Sequence, residues 1–213
     1  MSYNNGPKIV TNGLIMHLDA ASKRSYPGSG TTWYDLCGNY NGTLLSSPTF
    51  SSDFCGVVNT TGAGAKVQVS GINLSSGTYT IIGSARYNGA SRGRIISSIN
   101  NNWLLGHWNN SVANHYAEGW VTSVGAGGSD QTWRIYAATG NSSTDNWKFY
   151  INGILNADNN GGSQGPNGIQ IGGVFSTSEY SDGQCGFVIA YNRVLSNLEI
   201  LENYNALKSR FGL

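Results

Sequence analysis

Turn signals recur about every 10–15 residues along this chain, and that rhythm narrows the fold more than any other feature of the sequence. Thirty glycines in 213 residues are about twice the usual ~7%. Tight turns need positive φ, which glycine and asparagine adopt at little steric cost. Between the turns lie short apolar runs. The first, Gly13-Leu-Ile-Met-His-Leu-Asp19, alternates as a half-buried strand does, and further strands are expected at 42–45, 66–69, 79–86, 94–99, 103–108, 115–121, 131–138, 147–151, 169–172 and 185–191. Asn152-Gly153 between two apolar runs predicts a two-residue hairpin. Only the end reads as helical: Ser196 with Glu199 three residues later makes a capping box, and Leu198, Leu201 and Tyr204 are expected to face the body of the protein. The spacing is that of an all-β, two-sheet antiparallel sandwich with a short C-terminal helix. Its core is expected to hold Phe149, Ile151, Ile169, Ile171, Phe187 and Ile189 on inward faces.

Charge narrows the partners. The formal net charge is +1 and charged residues make up only 11%, so no basic stripe exists to neutralise phosphates, and nucleic acid is not an expected partner. With aromatics at 11% the chain is not of the disordered class. No run approaches the ~20 apolar residues of a membrane span, and the first residues have no signal-peptide pattern, so folding in a cytoplasm is expected. Three cysteines, Cys37, Cys55 and Cys185, have no metal-ligand spacing; they read as small apolar side chains, with a Cys37–Cys55 bridge geometrically conceivable. A surface of Asn, Ser, Thr and Gly suits contact with neutral polymers such as glycans, or with a neighbouring subunit.

Two blocks carry a family resemblance. Gly13-Leu-Ile-Met-His-Leu-Asp-Ala20, Ser25-Tyr-Pro-Gly-Ser-Gly-Thr-Thr-Trp-Tyr-Asp35 and Gly38-Asn-Tyr-Asn-Gly-Thr-Leu44 form the first. The second runs from Trp147-Lys-Phe-Tyr-Ile-Asn-Gly153 through Ile169-Gln-Ile-Gly-Gly173 to Tyr191-Asn-Arg-Val-Leu-Ser196, Glu199-Ile200 and Arg210-Phe-Gly212. Together they resemble the concanavalin-A-like, laminin-G-like jelly-roll domains found in tailed-phage structural proteins, over about half the chain. The resemblance implies a jelly roll over 13–213 preceded by an N-terminal arm, 1–12. It also implies a non-enzymatic virion protein, a capsid decoration or tail component assembled in the host cytoplasm. Its partners would be other virion proteins and host surface polysaccharide. The alternative is a stand-alone bacterial carbohydrate-binding or adhesin module. Domains of this family usually carry an Asp-Gly turn after the first loop; here Val58-Asn-Thr-Thr-Gly62 stands in its place.

No catalytic set is evident. Glycoside hydrolysis needs two opposed carboxylates, and none of the expected strands pairs two acids on one face; Glu199 and Glu202 share only the terminal helix. The histidines, His17, His107 and His115, sit in strand patterns away from any nucleophile elbow and read as half-buried strand residues. Calcium is the one cofactor the residues suggest: Asp35, Asn39 and Asn41 offer three oxygens from one loop, with Asp19 nearby, although such residues also cap turns through their own backbone. For a glycan, the candidates are Trp103, Trp108, Tyr116 and Trp120 around an Asn-rich turn. Trp103 and Trp108 are five apart and so face opposite ways on a regular strand, leaving at most one of them in the core.

Overall fold

Strand alternation here builds two antiparallel sheets laid face to face, closed at one side by the terminal helix. The computed structural model describes residues 7–62, 64–173 and 179–213. Among these the strands are, in chain order, β1 (Leu14–Asp19), β2 (Thr32–Trp33), β3 (Gly42–Leu45), β4 (Thr49–Ser51), β5 (Val57–Asn59), β6 (Lys66–Asn73), β7 (Thr78–Arg92) and β8 (Ile96–Ser97). They continue with β9 (Trp103–Trp108), β10 (Ser111–Ala117), β11 (Arg134–Asn141), β12 (Asn146–Ile151), β13 (Ile154–Asn159), β14 (Asn167–Ile171) and β15 (Ser181–Tyr191). The first sheet runs β13-β12-β11-β7-β15-β5-β4, with β1 also paired to β15; the second runs β10-β9-β8-β14-β6-β3-β2. The helix α1 (Asn197–Leu207) follows β15.

Both sheets contribute to the core between them. Met16, Val67, Ile81, Tyr136, Phe149, Ile169, Ile171, Val188 and Ala190 are buried there with Trp33, Trp103 and Trp147. Each such side chain taken from water contributes on the order of 1.5–3 kcal/mol. The hairpin at Asn152-Gly153 forms with both φ angles positive (51° and 78°), the combination that matches the twist of the flanking strands.

Three expectations about packing are corrected. Phe187 and Ile189 are buried, but on the outer face of the first sheet, in a second cluster with Ile82, Ile135, Tyr150, Ile200 and Phe211; Val188 and Ala190 face the core instead. From Cys185 to Tyr191 every residue is buried, because α1, Ile9 and Val10 lie on that outer face, so apolarity alone does not tell the two faces apart. Ile151 is only half-buried.

The helix is turned from its expected orientation. Ser196 Oγ accepts from Glu199 N–H, Glu199 Oε2 accepts from Ser196 N–H at 2.8 Å, and the capping box is complete. Yet Leu198 is 73% exposed and Leu201 39%, while Ile200 and Asn203 are buried. Tyr204 and Leu207 pack against the outer cluster as partly buried residues. A polar residue holds the buried position because it has work there: Asn203 Oδ1 accepts from Val10 N–H at 3.0 Å and from Tyr191 O–H at 3.1 Å.

Those contacts also locate the arm. Residues 1–6 lie outside the described residues; Ile9 and Val10 pack on this chain's own outer cluster, and Arg193 donates to Asn12 O at 2.9 Å. All three cysteines are free thiols: Cys185 is buried, but Cys37 is half-buried and Cys55 exposed, so the apolar-filler reading holds only for Cys185. Burial pushes the Cys185 thiol up to about 12.

Candidate functional site

The expected strand at 115–121 instead ends at Ala117, and a bulge earlier in β10 decides which aromatics face out. In the β9–β10 ladder Val112 lies opposite His107 and Asn114 opposite Gly106, leaving Ala113, at φ 66°, as the extra residue. Both Val112 and Ala113 therefore turn into the core, after which His115 and Ala117 point inward and Tyr116 outward. The chain then doubles back through Glu118 (φ 53°), and Trp120 bridges to Tyr116. Gly119 lies so close to Gly161 O that a Cβ would sit 2.0 Å from it, which fixes this return.

The result is a cleft of about 370 Å³ on the outer face of the second sheet, lined by Arg94, Asn102, Leu104, Trp108, Tyr116, Trp120, Val124 and Glu179. Trp120 stands edge-on to Trp108 and to Tyr116, with ring centroids 5.1 Å apart in each pair. Arg94 Nε meets Glu179 Oε2 at 2.5 Å, and Arg94 NH1 donates to Asn102 Oδ1 at 2.7 Å. Trp108 Nε1 donates to Glu179 Oε1 at 2.9 Å, and Glu118 Oε1 accepts from Asn102 N–H at 2.6 Å. Burial pulls the Arg94 guanidinium below its ordinary value, against the opposing pull of Glu179.

Three of the four aromatics named from sequence meet in this cleft. Trp103 does not: it is fully buried between the sheets, its Nε1 donating to Tyr79 Oη at 2.9 Å, so its ring has no face to offer a ligand. The two tryptophans do face opposite ways, as their spacing requires. Arg94, Asn102, Glu118 and Glu179 were not foreseen. Glu179 arrives from the segment before β15, 71 residues from Trp108, and no local pattern links the two.

The suggested calcium ligands do not form a cage. Asp35 accepts from four backbone N–H groups, those of His17 and Cys37 on Oδ1 and of Asn39 and Tyr40 on Oδ2, at 2.7–3.0 Å. Asn41 Oδ1 accepts from Asp35 N–H, and Asn39 turns its amide toward Ile15 O. Asp19 pairs with Arg210 at 2.5 Å. These oxygens organise the loop, the turn-capping role that such residues take in glycine-rich segments. Among the described residues no group of three His, Cys, Asp or Glu is placed to hold a metal.

His107 and His115 are completely buried rather than half-buried. His107 sits edge-on between Tyr87 and Tyr136, with centroids at 4.6 and 5.3 Å, and burial lowers it to about 3. His115 Nδ1 contacts Leu104 O at 2.8 Å, and burial lowers it to about 4. Both rings are neutral core groups.

No protein-family model matches the chain, and no curated protein does. Solved structures do share its fold. A Trypanosoma rangeli sialidase superposes with a TM-score of 0.69 at 13% identity, over 95% of this chain and 34% of that one. Botulinum neurotoxin type C, whose cell entry depends on interaction with two ganglioside molecules, gives 0.63 at 17%, over 92% and 51%. The ligand-binding domain of botulinum neurotoxin serotype D, in complex with N-acetylneuraminic acid, gives 0.62 at 15%, over 91% and 50%. The chain thus spans about a third of the sialidase and half of the neurotoxin chains, and at these identities the likeness is one of fold.

Proposed function

We propose that this chain is a non-enzymatic carbohydrate-binding domain whose ligand lies in the cleft of Trp108, Tyr116 and Trp120. The observation that carries the reading is the meeting of three half-buried aromatic rings with Asn102, Arg94 and Glu179 in one concave patch on an outer sheet face. Ring faces stack on the C–H surfaces of sugars, and the polar groups around them match hydroxyls. Concave sites that join apolar rings to a few convergent polar groups are where small ligands bind. The sugar-binding neurotoxin domains with the same fold support the reading by analogy. Glu179 and Glu118 are committed to Arg94, Trp108 and the Asn102 N–H, which favours a binding role over catalysis for both.

The end blocks add a finer reading, a module displayed on a phage virion that contacts other virion proteins. It rests on those blocks alone. The packing of Ile9 and Val10 on their own sandwich favours the free bacterial module instead. Glycan-array screening followed by calorimetry tests the site. Trp108→Ala and Trp120→Ala, each shown to melt as a folded protein, should weaken binding by at least about 1 kcal/mol, roughly fivefold in Kd. Binding unchanged in both variants would discard this cleft, and detectable turnover of a glycan would discard the non-enzymatic reading.

A further inference from the structure

Resting on that glycan-binding reading, we infer that the cleft selects uncharged sugars, hexoses or N-acetylhexosamines, and rejects sialic acids and other sugar acids. Among the described residues Arg94 is the one cation lining the cleft, and it is already matched. Its Nε is held by Glu179 at 2.5 Å and its NH1 by Asn102 at 2.7 Å. Glu118, fastened to the Asn102 backbone, lies within Coulombic reach of the same guanidinium. A sugar carboxylate entering here would meet two carboxylates around a single guanidinium. Like charges brought together at a desolvated contact are strongly unfavourable.

Neutral groups fare differently. Asn102 spends its Oδ1 on Arg94 while its Nδ2 makes no hydrogen bond among the described residues, and the Tyr116 hydroxyl, within Coulombic reach of Arg94, makes none either. Both suit sugar hydroxyls or an acetamido carbonyl. The rings of Trp108 and Trp120 offer apolar surface without charge. A second cation, Arg92, lines an adjoining depression, where it donates to Gly89 O and Asn110 Oδ1 and sits 5.7 Å from the Tyr87 ring centroid.

The test uses matched glycan pairs, a sialylated oligosaccharide and the same chain after desialylation, titrated into the intact protein. The neutral member is expected to bind at least about tenfold more tightly. Glu179→Gln should narrow that gap, because it removes one of the two carboxylates around Arg94; Trp108→Ala should weaken binding of the neutral member at least about fivefold. Equal or tighter binding of the sialylated member, lost in Trp108→Ala, would overturn the charge inference and leave the site in place. Sialylated binding that survives Trp108→Ala but is lost in Arg92→Ala would overturn both and move the site to the adjoining depression. Binding of neither member, nor of any neutral glycan, would overturn the site reading itself and the inference with it.

Discussion

The indole N–H of Trp108 and the carboxylate of Glu179 are joined at 2.9 Å, and this contact ties the end of β9 to the segment that leads into β15. It orients both a stacking ring and the partner of Arg94. Trp108→Phe keeps an aromatic face but removes the donor. Glycan affinity should therefore fall by less than in Trp108→Ala, by about 1 kcal/mol, while Glu179 loses a charge-assisted bond. Calorimetry on the two variants would separate the ring from its N–H. Equal losses would assign no role to the Glu179 contact.

The helix gives a sharper test of packing, because its apolar residues divide between the two faces. Ile200→Ala should cost about 2–5 kcal/mol, whereas Leu198→Glu, on the solvent side, should stay within about 0.5 kcal/mol. Ser196→Ala should cost about 1 kcal/mol by removing the cap. Urea unfolding would measure all three. A Leu198 variant as damaging as the Ile200 variant would contradict the helix orientation.

Asn203→Ala should be costly although it removes a polar residue. Val10 N–H would lose its acceptor and Tyr191 O–H one of its contacts, at about 1–3 kcal/mol. Hydrogen exchange at Val10 should accelerate in step. A stable variant with a protected Val10 amide would show that the N-terminal segment is held by something else.

Acid should unfold the protein through its buried histidines. His107 and His115 titrate near 3 and 4 when folded and near 6.5 when unfolded, both lowered by burial. Between pH 6.5 and about 4 the unfolded chain takes up protons that the folded one refuses, so stability falls as pH falls, by up to about 1.4 kcal/mol per pH unit for each histidine. Above pH 6.5 neither contributes. Denaturant midpoints at pH 7, 6 and 5 should decline, and a flat profile would refute the neutral-core assignment.

Asp35→Ala should destabilise the protein by about 3 kcal/mol, since four backbone N–H groups lose one acceptor, and calcium should neither rescue the variant nor raise the melting temperature of the parent. A calcium-dependent rise in the parent would reinstate a metal role for Asp35, Asn39 and Asn41.

Strand positions and the hairpin were legible because each rests on local chemistry: alternation in β1, positive φ at Asn152 and Gly153, a capping box at Ser196. What stayed hidden depends on the far side of the molecule. Phe187 and Val188 are equally apolar, and only the helix lying over one face of β15 separates their roles. Nothing local turns Asn203 inward; its partner, the Val10 amide, lies 193 residues away. The aromatic half of the cleft was readable, since Trp108, Tyr116 and Trp120 are close in sequence, but the bulge at Ala113 that turns Tyr116 outward left no clear mark. Arg94 and Glu179 meet only through the fold.

Residues 9 and 10 and helix α1 lie on the outer face of one sheet, while the aromatic cleft opens on the outer face of the other. Anything fastened to this domain through its leading segment or its terminal helix would sit behind it, with the rings looking the opposite way. Copies planted side by side on a common support would present their clefts as a forward-facing array. Weak individual grips would then add up on a repetitive polysaccharide coat, where a second contact forms at high effective concentration once the first has closed.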